Sequence, residues 1–185
     1  MPRFFFALLI ALATPLAAQQ TPAPDVPDAP APQLEPPMTM LRLAEIIRAI
    51  DPDAVPAGNV IQFTLDDIPI VVIADPRADR MRAMVPIRSA AGLSSAELMR
   101  LMQANFDSAL DARYAVAQGR LWGVFIHPLS PLKKDQLLSA FVQTINVART
   151  YGQTYSGGAT VFGGGDSNQL YQDLLEELLK KGEEI

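Results

Sequence analysis

The sequence predicts an α+β fold in a single domain, ordered α-β-β-β-α-β-β-α, with one further amphipathic helix at the C-terminal end. Three observations predict it. Leu43, Ile46, Ile47 and Ile50 fall at i, i+3, i+4 and i+7, which is one face of a helix. Between Asn59 and Ile87, apolar runs of strand length are broken by Asp66-Asp67 and by the turn-forming stretch Asp75 to Asp79. The stretch from Ser94 to Pro128 then reads as a capped helix feeding a β-hairpin, and the other elements can be placed around it.

The first residues read as an export signal. Arg3 supplies a positive charge, Phe4 to Ala13 an apolar run too short to span a bilayer comfortably, and Thr14-Pro-Leu-Ala-Ala18 a small-residue cleavage region. Residues 1–18 are expected to leave after Ala18, giving a periplasmic or secreted protein with no stable membrane insertion; an uncleaved anchor is the alternative. Residues 19–37 carry seven prolines and little apolar surface, which predicts a disordered, extended tether. The folded domain is expected over residues 38–156.

Its first helix runs from Thr39 to Ile50 and stops at Asp51-Pro52, because the residue before a proline is driven out of the helical region. Strands follow at Asn59 to Leu65, Ile68 to Ile73 and Arg80 to Ile87. Pro69 lacks a donor and so belongs at an edge or at a strand's first residue, while Pro86 interrupts the third strand. Ser94 with Glu97 forms a capping box, Leu93 and Leu98 stand where a hydrophobic staple would, and Leu98, Leu101, Met102, Asn105 and Ala109 follow at helical spacing. The hairpin of Arg113 to Ile126 turns at Gln118-Gly119. Ser130-Pro131 is expected to cap a long helix whose stripe is Leu137, Leu138, Phe141, Ile145 and Ala148. Residues 157–166 are a Gly-rich linker, and residues 167–182 a last helix carrying Leu170, Leu174, Leu175, Leu178 and Leu179. That stripe needs cover from its own domain, a second copy or another protein. Deleting Asp166 to Ile185 is expected to leave the domain folded and to weaken association.

Composition narrows the function classes. The net charge is −5, and it falls by one more when Arg3 leaves with the leader. Basic residues are scattered among acids, which argues against a nucleic-acid partner. The absence of cysteine rules out disulfides, thiol nucleophiles and thiolate metal sites.

No catalytic or cofactor signature rises above background. His127, the only histidine, lacks His-x-x-His, His-Glu-x-x-His or Gly-x-Ser-x-Gly company, so a packed or edge histidine outweighs a catalytic one. Gly163 to Ser167 precedes a helix as an anion cradle would, but no lysine follows, and a hinge with an Asp166 or Ser167 cap is the plainer account. Asp51, Asp53, Asp66, Asp67, Asp75 and Asp79 lie in turns, where Asp serves its own backbone, without the spacing of a calcium loop. Phe106, Tyr114, Trp122, Phe125, Phe141 and Tyr151 read as core aromatics, with Tyr114 and Trp122 beside the hairpin turn the two expected to be half exposed.

The element order, with Leu101-Met-Gln-Ala-Asn-Phe-Asp-Ser-Ala-Leu-Asp-Ala-Arg-Tyr-Ala-Val116 leading through Gly119-Arg-Leu-Trp122 to Pro128, resembles the YbjN family of bacterial sensory transduction regulators, which is similar in fold to type III secretion chaperones. The resemblance covers residues 39 to 156. It implies a curved antiparallel sheet flanked by helices, used by chaperone-like relatives to pair with themselves and to hold extended segments of other proteins. It brings no catalytic residue. The signal, the tether and the Gly-rich extension depart from the cytoplasmic members.

The functional expectation is therefore a non-enzymatic, exported protein-binding module, chaperone-like or regulatory, with no cofactor. Its partner is a protein, a second copy included, and Tyr114, Trp122, Leu170, Leu174 and Leu178 are the candidate contacts. A small-molecule sensor with its pocket between sheet and helices is the second hypothesis. An acid-based hydrolase using loop Asp residues such as Asp66 and Asp75 is the third.

Overall fold

Helix α1 (Met40–Ile50) begins where Thr39 Oγ1 accepts the Arg42 N–H at 3.2 Å, and it turns Leu43, Ala44, Ile46 and Ile47 inward. Asp51 ends it and then serves the sheet, its carboxylate accepting the Asp53 N–H at 3.0 Å and the Thr64 N–H at 2.8 Å. The structure is a computed structural model describing residues 35–107, 110–152 and 169–183. The residues expected to form a signal peptide, most of the expected tether, the Gly-rich linker and the first residues expected of the last helix lie outside the described residues.

Six strands follow in one antiparallel sheet: β1 (Val55–Ala57), β2 (Val60–Leu65), β3 (Ile68–Asp75), β4 (Arg80–Ser89), β5 (Arg113–Ala117) and β6 (Arg120–Pro128), in the spatial order β1-β2-β3-β4-β6-β5. Strand β1 is an addition to the predicted order. It is three residues long, contains Pro56 and pairs only with β2, a short edge with too little alternation to show in the sequence. The two predicted two-residue turns close as expected, with positive φ at Asp66 and Asp67 (51° and 62°) and at Gln118 and Gly119 (52° and 69°), the backbone that such hairpins need.

The prolines sit where a missing donor is tolerated. Pro69 pairs with Thr64 on β2, and β4 pairs with β3 only from Val71 onward, so Pro69 is locally at an edge although β3 is an inner strand. Pro86 lies at a bulge, where the β4–β6 register shifts between Pro86 and Arg88.

Helix α2 (Ser95–Asp107) precedes β5, α3 (Lys134–Arg149) follows β6, and α4 (Gln169–Glu183) closes the chain. Ser130 does not cap α3. Asp79, at the head of β4, takes it instead, accepting the Ser130 N–H at 2.7 Å and its hydroxyl at 2.9 Å. The helix starts three residues later, where Gln136 Oε1 accepts the Lys133 N–H at 3.0 Å and Glu35 Oε1 the Lys134 N–H at 2.7 Å. Glu35 also pairs with Arg42, and Met38 is buried with its N–H on the Ser130 carbonyl, so residues 35–38 belong to the domain.

The helices flank the sheet on one face. In β2, β3, β4 and β6 the buried side chains are those of one face, where Ile61, Phe63, Ile70, Val72, Ala83 and Phe125 join the residues of α1 and α3 in the main core. Phe63 meets Phe141 edge-on at 5.0 Å. Helix α3 is buried along most of its circumference, and its polar side chains bond inside: Thr144 Oγ1 donates to the Ala140 carbonyl, and Gln143 Oε1 accepts the Asp111 and Ala112 N–H groups. No helix among the described residues covers the opposite face. None of them is long and apolar enough to cross a membrane.

Helix α4 finds its cover within its own domain. Leu178 is 0% exposed in the main core, and Leu174, Leu175 and Leu179 pack against it. Lys134 Nζ donates to the Gly182 carbonyl at the far end. The expectation that this helix is dispensable for folding is corrected, because removing it uncovers core built from α1 and α3.

Candidate functional site

Two surfaces of the domain combine exposure with apolar chemistry. The first is built by α2. Its capping box forms as the sequence predicts, with Ser94 Oγ accepting the Glu97 N–H at 3.2 Å and Glu97 Oε2 accepting both the Ser94 N–H and hydroxyl at 2.8 Å. Those bonds hold the Glu97 carboxyl below its ordinary range.

The inward face of α2 is Leu101, Ala104 and Asn105. The two apolar side chains enter a smaller core with Ala112, Tyr114, Leu121 and Val147. Asn105 imitates a neighbouring strand, donating to the Tyr114 carbonyl at 3.1 Å and accepting the Tyr114 N–H at 2.7 Å. This tie fixes which side of α2 faces out. Met99, Met102 and Phe106, at i, i+3 and i+7, are 69%, 52% and 76% exposed, with Leu98 beside them at 38%. Of the residues at helical spacing, Leu98 and Met102 therefore face out with Phe106, which is no core aromatic, and Ala109 lies outside the described residues. A helix with apolar residues on both sides satisfies the periodicity rule twice, and only the Asn105–Tyr114 pairing decides between them.

The second surface is the open face of the sheet. Val71, Met84 and Val124 are direct cross-strand neighbours there, and Ile126 on the same face is 58% exposed. Trp122 lies among them, half-buried, its indole N–H on the Ala117 carbonyl at 3.0 Å and the Arg120 guanidinium 5.9 Å above its ring. Trp122 is placed as the sequence suggested.

The other candidate contacts divide. Tyr114 is buried, donates its hydroxyl to the Val147 carbonyl at 2.8 Å and meets Tyr151 edge-on, so it holds α3 rather than a partner. Leu178 is fully buried in the main core and so is corrected as a contact, while Leu174 packs beside that core half-buried. Leu170 falls in the first turn of α4, and its side chain is outside the described residues.

The groups considered for chemistry have structural work. Asp66 pairs with Arg149, Asp75 Oδ1 accepts the Arg77 and Ala78 N–H groups at 2.9 and 3.2 Å, and Asp79 ties Ser130. The Ser130 bonds hold the Asp79 carboxyl low. No group of acids and histidine placed to hold a metal occurs among the described residues. His127 stacks on Phe125 at 6.0 Å, its Nδ1 2.7 Å from the Pro128 carbonyl oxygen. It borders an open cleft of about 480 Å³ with Arg113, Asp135, Ser139 and Gln143, where β5 has ended and the edge of β6 meets α3. The cleft is at the rim. The interior between sheet and helices, where a sensor pocket was expected, is filled by the main core.

No family model matches the chain, and no curated protein matches it. Solved structures similar to it over part of its length include the Yersinia pestis type III secretion chaperone SycH in complex with a stable fragment of YscM2, at 14% identity and a TM-score of 0.45, covering 58% of this chain and 98% of that one. The HopA1–SchA chaperone–effector complex matches at 9% identity and a TM-score of 0.47, covering 60% of this chain and 94% of that one. The ExsC–ExsE complex matches at 9% identity and a TM-score of 0.48, covering 62% and 96%.

Proposed function

We propose that this chain is a non-enzymatic protein-binding module, exported behind a cleaved signal peptide and acting as a chaperone-like or regulatory partner of another protein, in the manner of the YbjN family. The observation that carries the reading is the outward stripe of α2. Met99, Met102 and Phe106 form a contiguous apolar surface on a helix whose opposite side is fixed in the core, and such a surface is kept out of water by association. Methionine and phenylalanine suit the purpose, because a flexible thioether fits varied shapes and an aromatic ring supplies a large anchor. The acids of the turns are engaged in holding the backbone, which supports binding over catalysis.

The test is crosslinking in intact source cells on the tagged mature protein, followed by mass spectrometry, with wild type and a Met102→Glu/Phe106→Glu variant side by side. Specific protein partners, or a second copy, retained by the wild type and lost by the variant support the reading. A clean preparation from both overturns it.

A further inference from the structure

The open face of the sheet differs in charge from the rest of the molecule. Counting the strand residues that share it, Arg80, Arg82, Arg113 and Arg120 are basic and Asp75 alone is acidic, in a chain whose net charge is −5. None of the four arginines is in an ion pair among the described residues; Arg80 donates to the Asp79 carbonyl at 3.0 Å, and Arg113 to the Leu110 and Ala112 carbonyls at 2.5 and 2.9 Å. Three of them rim the apolar row Val71–Met84–Val124: Arg113 pairs across from Val124 at one end, Arg82 sits between Ile73 and Ile126 in the next row, and Arg120 lies over Trp122, while Arg80 stands across from Asp75.

We propose that this face docks an acidic amphipathic helix of another protein, an inference that rests on the protein-binding reading and adds a second surface to it. The spacing favours a helix. Residues in a row across a sheet are about 4.8 Å apart, and a helix lying across the strands presents one apolar residue per turn, about every 5.4 Å. An extended segment would present same-side residues at intervals of about 6.7 Å. The charge selects the partner. Glu or Asp flanking the apolar stripe of such a helix reaches the Arg82 and Arg120 guanidinium groups, which are suited to bidentate pairing with carboxylates. A second copy is disfavoured by the same groups, because a two-fold contact sets two faces of the same positive excess against each other.

Trp122 makes the test direct, since it is the only tryptophan and lies on this face. The full mature chain is titrated with a synthetic helical peptide of about 18 residues, Leu at i, i+3, i+4 and i+7 and Glu on the flanks, and Trp122 emission is followed. The expected result is a saturable blue shift that weakens with salt, that an otherwise identical Lys-flanked peptide does not give, and that an Arg82→Glu/Arg120→Glu variant loses by at least about tenfold in affinity. The milder Arg82→Gln/Arg120→Gln variant serves if charge reversal harms folding. No shift, or a shift equal for both peptides and indifferent to the arginines, overturns the proposal. A shift with vesicles of phosphatidylcholine and phosphatidylglycerol but not with the Glu-flanked peptide overturns it in favour of a membrane surface. Partners captured in cells through α2, with Trp122 unresponsive, would leave the protein-binding reading intact and remove this one.

Discussion

Gly123 sets how closely α3 approaches the sheet. A Cβ there would stand 3.0 Å from the Thr144 carbonyl oxygen and 3.3 Å from Val147 Cγ1, and backbone on a buried helix has nowhere to retreat. Gly123→Ala is expected to destabilise the domain by about 1–3 kcal/mol, measured by urea unfolding. Asp79 and Glu97 make a pH-dependent contribution. Both carboxyls are held low by their serine partners, Ser130 and Ser94, so each favours the folded state above its unfolded value and loses that contribution as pH falls through its folded value. The urea midpoint of Asp79→Asn is therefore expected to fall less than that of wild type between neutral pH and about pH 3. At this scale the sequence was legible where the partners are local. Ser94 and Glu97 are three residues apart and could be paired on sight, whereas Ser130 carries the pattern of a helix cap and is claimed by Asp79, 51 residues away.

Most elements were readable because each depends on its own periodicity, and the exceptions have physical causes. Strand β1 is too short and too proline-bound to alternate, and α4 could not be assigned a cover because its leucines look the same whether they face their own domain or another. The structure gives the cover: Leu178 is fully buried, so Leu178→Ala is expected to cost about 2–5 kcal/mol. Truncation before α4 should likewise lower thermal stability sharply, read by circular dichroism. Helix α2 supplies the contrast. Met102→Glu/Phe106→Glu changes exposed positions only, and its stability is expected to stay within about 0.5 kcal/mol of wild type while association is lost. A loss of stability comparable to that of Leu178→Ala would show the stripe to be structural.

At the scale of the molecule, the arrangement follows from placing the described helices on one side of the sheet. The opposite face and the outer side of α2 are left as apolar surfaces, one rimmed by arginines and one not. The order β4-β6-β5 could not be read from the sequence, since β4 joins β6 rather than the strand that follows it in the chain, and with it went any view of which residues share the open face. The α2 stripe was present in the spacing of Met99, Met102 and Phe106, but periodicity alone does not say which of two apolar sides is covered. The most direct test of the central claim places a photo-crosslinking amino acid at position 106, and at the exposed position 48 on α1 as a control, in the source cells. Discrete protein adducts at 106 and none at 48 are the result predicted. Equal labelling at both positions, or none at 106, would contradict the account.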